Sequence, residues 1–215
     1  MIRIPKVFHR VWLGGKPMPK EFADWGESWV DLHPGWTMKL WTEETLPKLV
    51  NEYQYKRAIC LAQRADVVRY EIMQKHGGVY VDCDIECVRN IEPLLEDCDL
   101  AVTSNLAKDT PEWLSNGIFA CTKGHPAMGE LVLRLPANWS TKVWTAMGPP
   151  FFTKILAPFE KKMLDGWLFQ PLTYSEYGRR RRDDYKAPDG AYAVNHHSSL
   201  WHGPSTMTIR GLENV

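Results

Sequence analysis

The chain has no stretch near the ~20 consecutive apolar residues that a membrane-spanning helix needs. It has no excess of either charge, since 26 Lys and Arg balance 26 Asp and Glu. That balance removes any global drive toward nucleic acid or an anionic membrane. Cysteine is scarce and odd in number, five in all. Cys60, Cys83, Cys87, Cys98 and Cys121 show neither paired zinc-site spacing nor a disulfide framework, so small reduced packing residues are expected. No internal repeat and no low-complexity linker interrupts the chain. Met1-Ile2-Arg3 runs directly into a strand-like segment without a secretory leader, which predicts a soluble, cytoplasmic protein of bacterial or viral type. At 215 residues and 44% hydrophobic composition, a single domain over 1–215 is expected to bury a good core.

What is present is an alternation of strands and helices. Lys6 to Trp12 and Trp36 to Trp41 read as strands, with a helix from Lys20 to Leu32 between them. A helix over Leu61 to Lys75 carries apolar Leu61, Ala65, Val68 and Ile72 at helical spacing. Strands are predicted at Leu100 to Ser104 and Gly117 to Cys121, and helices at Pro126 to Leu135 and Pro150 to Lys161. Trp167 to Leu172 and Ala191 to His196 follow Asp-Gly turns and read as late strands. The alternation predicts an α/β fold with a largely parallel central sheet flanked by helices, and ligands beyond the carboxyl ends of its strands.

Chemistry concentrates between Ala65 and Asp84. Gly77 is a helix-ending glycine and Gly78 permits a sharp turn. Val79-Tyr80-Val81 then reads as a short buried strand, with Tyr80, Asp82 and Asp84 on the face opposite Val79 and Val81. Asp66 and Arg69 are three apart, on a helical side distinct from the buried stripe. No lysine or arginine separates the two strand-end carboxylates. Two such charges repel, and a divalent cation with oxygen ligands, Mn²⁺ or Mg²⁺, relieves them and accepts substrate phosphates.

These residues carry a resemblance. Ala65-Asp66-x-x-Arg69-Tyr70 followed by Gly77-Gly78-x-Tyr80-x-Asp82-x-Asp84 resembles the DxD glycosyltransferases related to Och1-type mannosyltransferases and the glucosyltransferase domains of large clostridial toxins. The opening from Ile4 to Gly15, the segment Asn116 to Pro126, the Gly148-Pro149 turn and the closing His196-His197-Ser198-Ser199-Leu200-Trp201 resemble further blocks of that family in order. Two positions depart from the pattern, Met147 for a threonine and Leu200 for a serine. The resemblance implies a Rossmann-like GT-A domain that takes a nucleotide-sugar donor, UDP-sugar or GDP-mannose, and transfers with retention to a carbohydrate or other hydroxyl acceptor. It implies that Asp84 and Asp82 hold the cation, joined by His196 or His197. Trp12 would stack on the base, and Trp201 would cover the diphosphate. Asp66, Arg69, Tyr80 and Asp82 would bind the donor sugar, and Asn116 would bond a hydroxyl near the acceptor.

Other readings of the same residues exist. A haloacid-dehalogenase phosphatase also uses a DxD after a buried strand, but Glu86 stands where that family wants Thr or Val. A sugar-binding module would use some of the ten tryptophans, yet it leaves the carboxylates unexplained. Arg179 to Arg182 would suit a nucleic-acid acceptor, but the basic excess of phosphate-backbone binders is absent. Most of the tryptophans are expected in the core, and His9 and His33 are expected to be structural.

Overall fold

The computed structural model describes residues 1–104, 113–172 and 187–198. Its centre is a six-stranded sheet of order β2-β1-β3-β6-β5-β7. The strands are β1 (Val7–Val11), β2 (Thr37–Trp41), β3 (Gly78–Val81), β5 (Leu100–Ser104), β6 (Leu114–Cys121) and β7 (Lys162–Leu164). The β1–β2, β1–β3 and β5–β7 pairs are parallel, and β6 runs antiparallel to both neighbours. The expected α/β class and largely parallel sheet are therefore observed. A separate two-stranded antiparallel ribbon pairs β4 (Ile85–Cys87) with β8 (Ala193–Asn195).

Among the described residues, six helices flank these strands: α1 (Lys20–Asp31), α2 (Glu52–Arg57), α3 (Leu61–His76), α4 (Pro126–Asn138), α5 (Val143–Met147) and α6 (Pro149–Leu156). Two apolar clusters form, one for each face of the sheet. Tyr80, Val11 and Phe119 pack with α3, α4 and α6, while Val79, Val81 and Phe8 pack with Trp29, Trp36 and Ile85. Alternation along β3 thus works as read from the sequence. Trp29, Trp36 and Trp41 are core residues. Each such fully buried side chain contributes roughly 1.5–3 kcal/mol or more of transfer free energy.

The α3–β3 junction shows why both glycines are there. Gly77 ends the helix at φ 64°, and a Cβ on it would lie 2.4 Å from the Lys123 nitrogen. Gly78 has φ 102°, and a Cβ on it would lie 2.5 Å from the Val7 carbonyl oxygen. Side chains rarely adopt either conformation, and neither site has room for one. His9 and His33 are structural, as expected. Burial pushes the His9 imidazole down to about 4, so the neutral ring donates from Nε2 to the Gly77 carbonyl and accepts from Trp41 Nε1 at Nδ1. His33 joins the Trp29 carbonyl to the Ile91 amide.

Three expected elements differ. Trp167 to Leu172 is no strand; Gly166–Leu168 form a single 3₁₀ turn, capped by the Asp165 carboxylate on the Trp167 amide at 2.9 Å. The late strand shrinks to Ala193–Asn195. Helix α6 stops at Leu156 rather than Lys161, whose ammonium turns back onto the carbonyls of Leu156 and Phe159. Among the described residues, no helix is long and apolar enough to cross a membrane.

Candidate active site

Strands β1 and β3 are parallel neighbours, with His9 opposite Tyr80. Their carboxyl ends therefore emerge together, and Trp12 and Asp82 each follow directly. The Cys83 thiol, 3.3 Å from the Val11 carbonyl oxygen, ties the two ends. After Val81 the chain does not continue as a strand. Asp82, Cys83 and Asp84 make a tight turn into β4, with the Ile85 amide on the Asp82 carbonyl at 3.2 Å. The two carboxylates thus occupy one three-residue turn but differ in environment. Asp82 keeps 28% of its side chain exposed. Asp84 is buried, which corrects the expectation of two carboxylates on an open strand end.

The side of α3 that carries Asp66 and Arg69, expected to be distinct from the buried stripe, is itself buried: each residue is only 6% exposed. Arg69 faces Asp66 at 3.4 Å and Asp82 at 3.2 Å, donates to the Asn116 carbonyl and lies over the Tyr80 ring at 4.6 Å. Asn116 on β6 donates from Nδ2 to the Asp66 carboxylate at 2.9 Å and to the Tyr70 hydroxyl at 3.0 Å. The Tyr80 hydroxyl donates to Asp82 at 2.9 Å. One network therefore joins five of the residues singled out in the sequence: Asp66, Arg69, Tyr80, Asp82 and Asn116. Removing one charge from such a buried pair leaves the other uncompensated, at about 3–5 kcal/mol. Burial pushes the Asp66 carboxyl up to about 7 even against the Arg69 cation, and the Asp82 charge adds to the rise.

Asp84 feels the same two pressures. Burial first, then the Asp82 charge, push its carboxyl up to about 7. One of its oxygens accepts from the Ser198 amide at 2.9 Å, and the His196 amide donates to its carbonyl at 2.8 Å. The segment after β8 is thereby fastened to the acidic turn by its backbone. The imidazoles point elsewhere. His196 stacks on Trp25, with centroids 4.0 Å apart and planes at 5°, and its Nε2 lies 2.8 Å from a Glu86 oxygen. His197 Nε2 lies 3.1 Å from the Leu172 carbonyl, and burial lowers its pKa. Among the described residues, no three His, Cys, Asp or Glu side chains gather around one point. Trp12 donates from Nε1 to the Lys16 carbonyl at 2.7 Å and meets Phe22 edge-on. Trp201 and Leu200 lie outside the described residues, as do Arg179 to Arg182.

Sequence reasoning missed Arg10. It is a buried cation in β1 whose guanidinium donates to the Phe22 carbonyl at 2.8 Å and to the carbonyl of Cys83, the central residue of the acidic turn. Gly26 makes room for it, since a Cβ there would lie 2.0 Å from Arg10 Nη1. The available signal was an arginine inside the strand-like run Val7–Val11, beside His9.

The donor set suits a hard cation. Asp82 and Asp84 offer oxygens only, and each raises the cost of the other's charge. Among the described residues, the buried hydroxyl of Ser198, whose amide bonds Asp84, meets no hydrogen-bond partner. Two carboxylates with water and substrate phosphate complete the shell Mg²⁺ or Mn²⁺ prefers.

Residues 19–101 match the family model for the glycosyltransferase sugar-binding region containing a DXD motif. The acidic turn lies in a DXD region of glycosyltransferase type. An inositol phosphoceramide mannosyltransferase of Schizosaccharomyces pombe is 32% identical over 170 residues, which is 74% of this chain and 46% of that protein. A mannosyl phosphorylinositol ceramide synthase of Saccharomyces cerevisiae is 26% identical over 98% of this chain and 56% of its own. The DXD domain thus spans about half the length of these yeast relatives. In fold it resembles the catalytic domain of the alpha-toxin from Clostridium novyi, at TM-score 0.60 and 10% identity, over 100% of this chain and 82% of that one. The GT-A architecture expected from the sequence is the one observed.

Proposed function

We propose that this DXD glycosyltransferase moves a hexose from a nucleotide-sugar to a hydroxyl of a sugar or glycolipid headgroup, with a divalent cation and with retention. The observation that carries this reading is one turn, Asp82 to Asp84. It sets two carboxylates at the carboxyl end of β3, against the buried Asp66–Arg69–Asn116 network. The names of the yeast relatives point to a mannosyl donor, so GDP-mannose stands beside the UDP-sugars. Their named lipid substrates support a glycolipid acceptor.

Each side chain then has a task. Asp84 and Asp82 would hold Mn²⁺ or Mg²⁺, which when bound offsets the charge of the leaving diphosphate. Ser198, whose amide bonds Asp84, would add a hydroxyl oxygen. Trp12, at the end of β1, offers a face to the base. Asp82 and the Asp66–Arg69 pair would bind sugar hydroxyls, and the network holds these side chains in place before substrate arrives, so little reorganisation is needed during transfer. Asn116 bonds a hydroxyl on the acceptor side. Arg10 positions the turn through the Cys83 carbonyl.

The test is hydrolysis of a panel of nucleotide-sugars with Mn²⁺ and no acceptor. One donor should be cleaved, the reaction should stop in chelator, and Asp84→Asn should lose it while keeping its melting temperature. Full activity in chelator or in Asp84→Asn would remove the cation from the mechanism; cleavage of simple aryl phosphates alone would favour a phosphatase.

A further inference from the structure

Helices α2, α4 and α5 share an outer face. The Asn51 side chain, just before α2, donates to the Val132 carbonyl of α4 at 3.0 Å. At the other end of α2 the Arg57 guanidinium lies 3.5 Å above the Trp139 ring centre and 5.3 Å from that of Tyr53. The Asn138 side chain donates to the Ala146 carbonyl of α5. Large apolar side chains stand open on this face: Val50 is 82% exposed, Leu133 70%, Tyr53 68% and Trp144 48%. Scattered singly, such residues mean little; three adjoining helices carrying one each, with Val50 just before the first, form a patch that water covers poorly.

Charge says what covers it. The carboxylates among these residues are paired locally, Glu52 with Lys56 and Glu130 with Arg134 at 2.8 Å. Lys48, Arg57 and Lys142 are left to give the patch positive sign. Aromatic rings, aliphatic side chains and long cations side by side are the composition that an acyl–headgroup boundary selects, because the stems bury while the charges stay among phosphates. A protein partner would not require this sign; an anionic bilayer does, at about 1 kcal/mol for each basic residue near its surface.

The patch also adjoins the site. Helix α5 ends at Met147, whose carbonyl accepts the Tyr70 hydroxyl at 2.6 Å, and that hydroxyl in turn accepts from Asn116. Trp144 meets Trp113 edge-on at 6.2 Å, just before the strand that carries Asn116. We propose that the α2–α4–α5 face seats this domain on an anionic lipid surface, so that headgroups meet the site from its Asn116 side. This rests on the glycolipid acceptor named above.

The experiment is co-sedimentation of the full chain with vesicles of phosphatidylcholine alone or with phosphatidylserine added. The parent should sediment with the anionic vesicles only and be released by high salt. The exposed triple variant Tyr53→Gln, Leu133→Gln, Trp144→Gln and the triple variant Lys48→Gln, Arg57→Gln, Lys142→Gln should each bind at least tenfold more weakly. Both should hydrolyse the nucleotide-sugar in solution as the parent does. A parent that ignores anionic vesicles, or variants that bind them equally, would overturn the proposal while donor hydrolysis stands. Self-association of the parent that the first variant abolishes, without vesicle binding, would show that the face pairs two copies and would overturn it too. Loss of donor hydrolysis in the parent, by contrast, would strike the glycosyltransferase reading and not the lipid surface.

Discussion

Gly117→Ala moves one carboxylate without changing any charge. Gly117 sits on β6 opposite the acidic turn, and its carbonyl accepts the Asp82 amide at 2.8 Å. A Cβ at this position would lie 2.7 Å from Asp82 Oδ2 and 3.5 Å from the Ser115 hydroxyl. Ordinary contact begins near 3.4 Å, so Oδ2 has to retreat by about 0.7 Å. The other oxygen, Oδ1, is held by the Tyr80 hydroxyl at 2.9 Å and faces Arg69 at 3.2 Å. The carboxylate must therefore turn about Oδ1, at a cost of about 0.5–1.5 kcal/mol for an off-rotamer side chain. Alanine returns about 0.5–1 kcal/mol in a strand, because it has less backbone freedom to lose. The two nearly cancel, and the melting temperature should stay within about 4 °C. Catalysis has no such offset. A reacting geometry displaced by about 1 Å loses roughly a hundredfold, so kcat/KM for transfer should fall by about ten- to a hundredfold. The assay is initial rates with the donor found in the hydrolysis screen, beside thermal melts of parent and variant. An unchanged kcat/KM in a variant with an unchanged melt would show that Asp82 does not meet the reacting sugar.

Trp12→Ala should weaken nucleotide binding by about 1–3 kcal/mol, the worth of one base stacked on an aromatic ring; calorimetry with the bare nucleoside diphosphate and Mn²⁺ reads this, and an equal Kd would return Trp12 to packing alone. Gly26→Ala should destabilise by about 1–3 kcal/mol despite the better helix former, because the methyl group displaces the Arg10 guanidinium from two buried carbonyls; a more stable variant in urea would show that Arg10 yields freely. The pH dependence has a definite sign: burial raises the Asp66 carboxyl to about 7, above its unfolded value of about 4, so its contribution is complete below pH 4 and is lost as pH rises through 7. In chelator the parent should lose melting temperature across that window and Asp66→Asn should lose less; parallel curves would contradict the shift. His196→Ala should raise the Mn²⁺ requirement more than His197→Ala, since its imidazole, stacked on Trp25 and bonded to Glu86, steadies the segment whose amides hold Asp84; the reverse ranking would give that positioning task to His197.

The strongest sequence signals were those written locally. Helix α3, its two glycines and β3 follow from apolar spacing and from turn chemistry within one short stretch. The neighbouring β4 was illegible because three residues, Ile85–Cys87, become a strand only by pairing with Ala193–Asn195 at the far end of the chain. Trp167 to Leu172 imitates a strand by composition, but the Asp165 side chain caps a turn there instead. The burial of Asp66 and Arg69 could not be read from helical spacing, because their partners, Asp82 and Asn116, lie on other elements. The same holds for Arg10 and Gly26, whose fit is a property of two packed elements and of neither alone.

The amide of Ser198 on the Asp84 carboxylate closes a loop of 114 positions. Contacts of such separation form after the local ones, since the chain entropy they cost is repaid only when the rest is assembled. The acidic turn is therefore among the last parts of the protein to acquire its shape. A refolding chain should show sheet and helix before it shows affinity for Mn²⁺, and a fragment limited to residues 19–101 would carry both aspartates without β1, β6 or β8 to orient them. The segments that flank the motif in sequence, rather than the motif itself, decide when the site is complete.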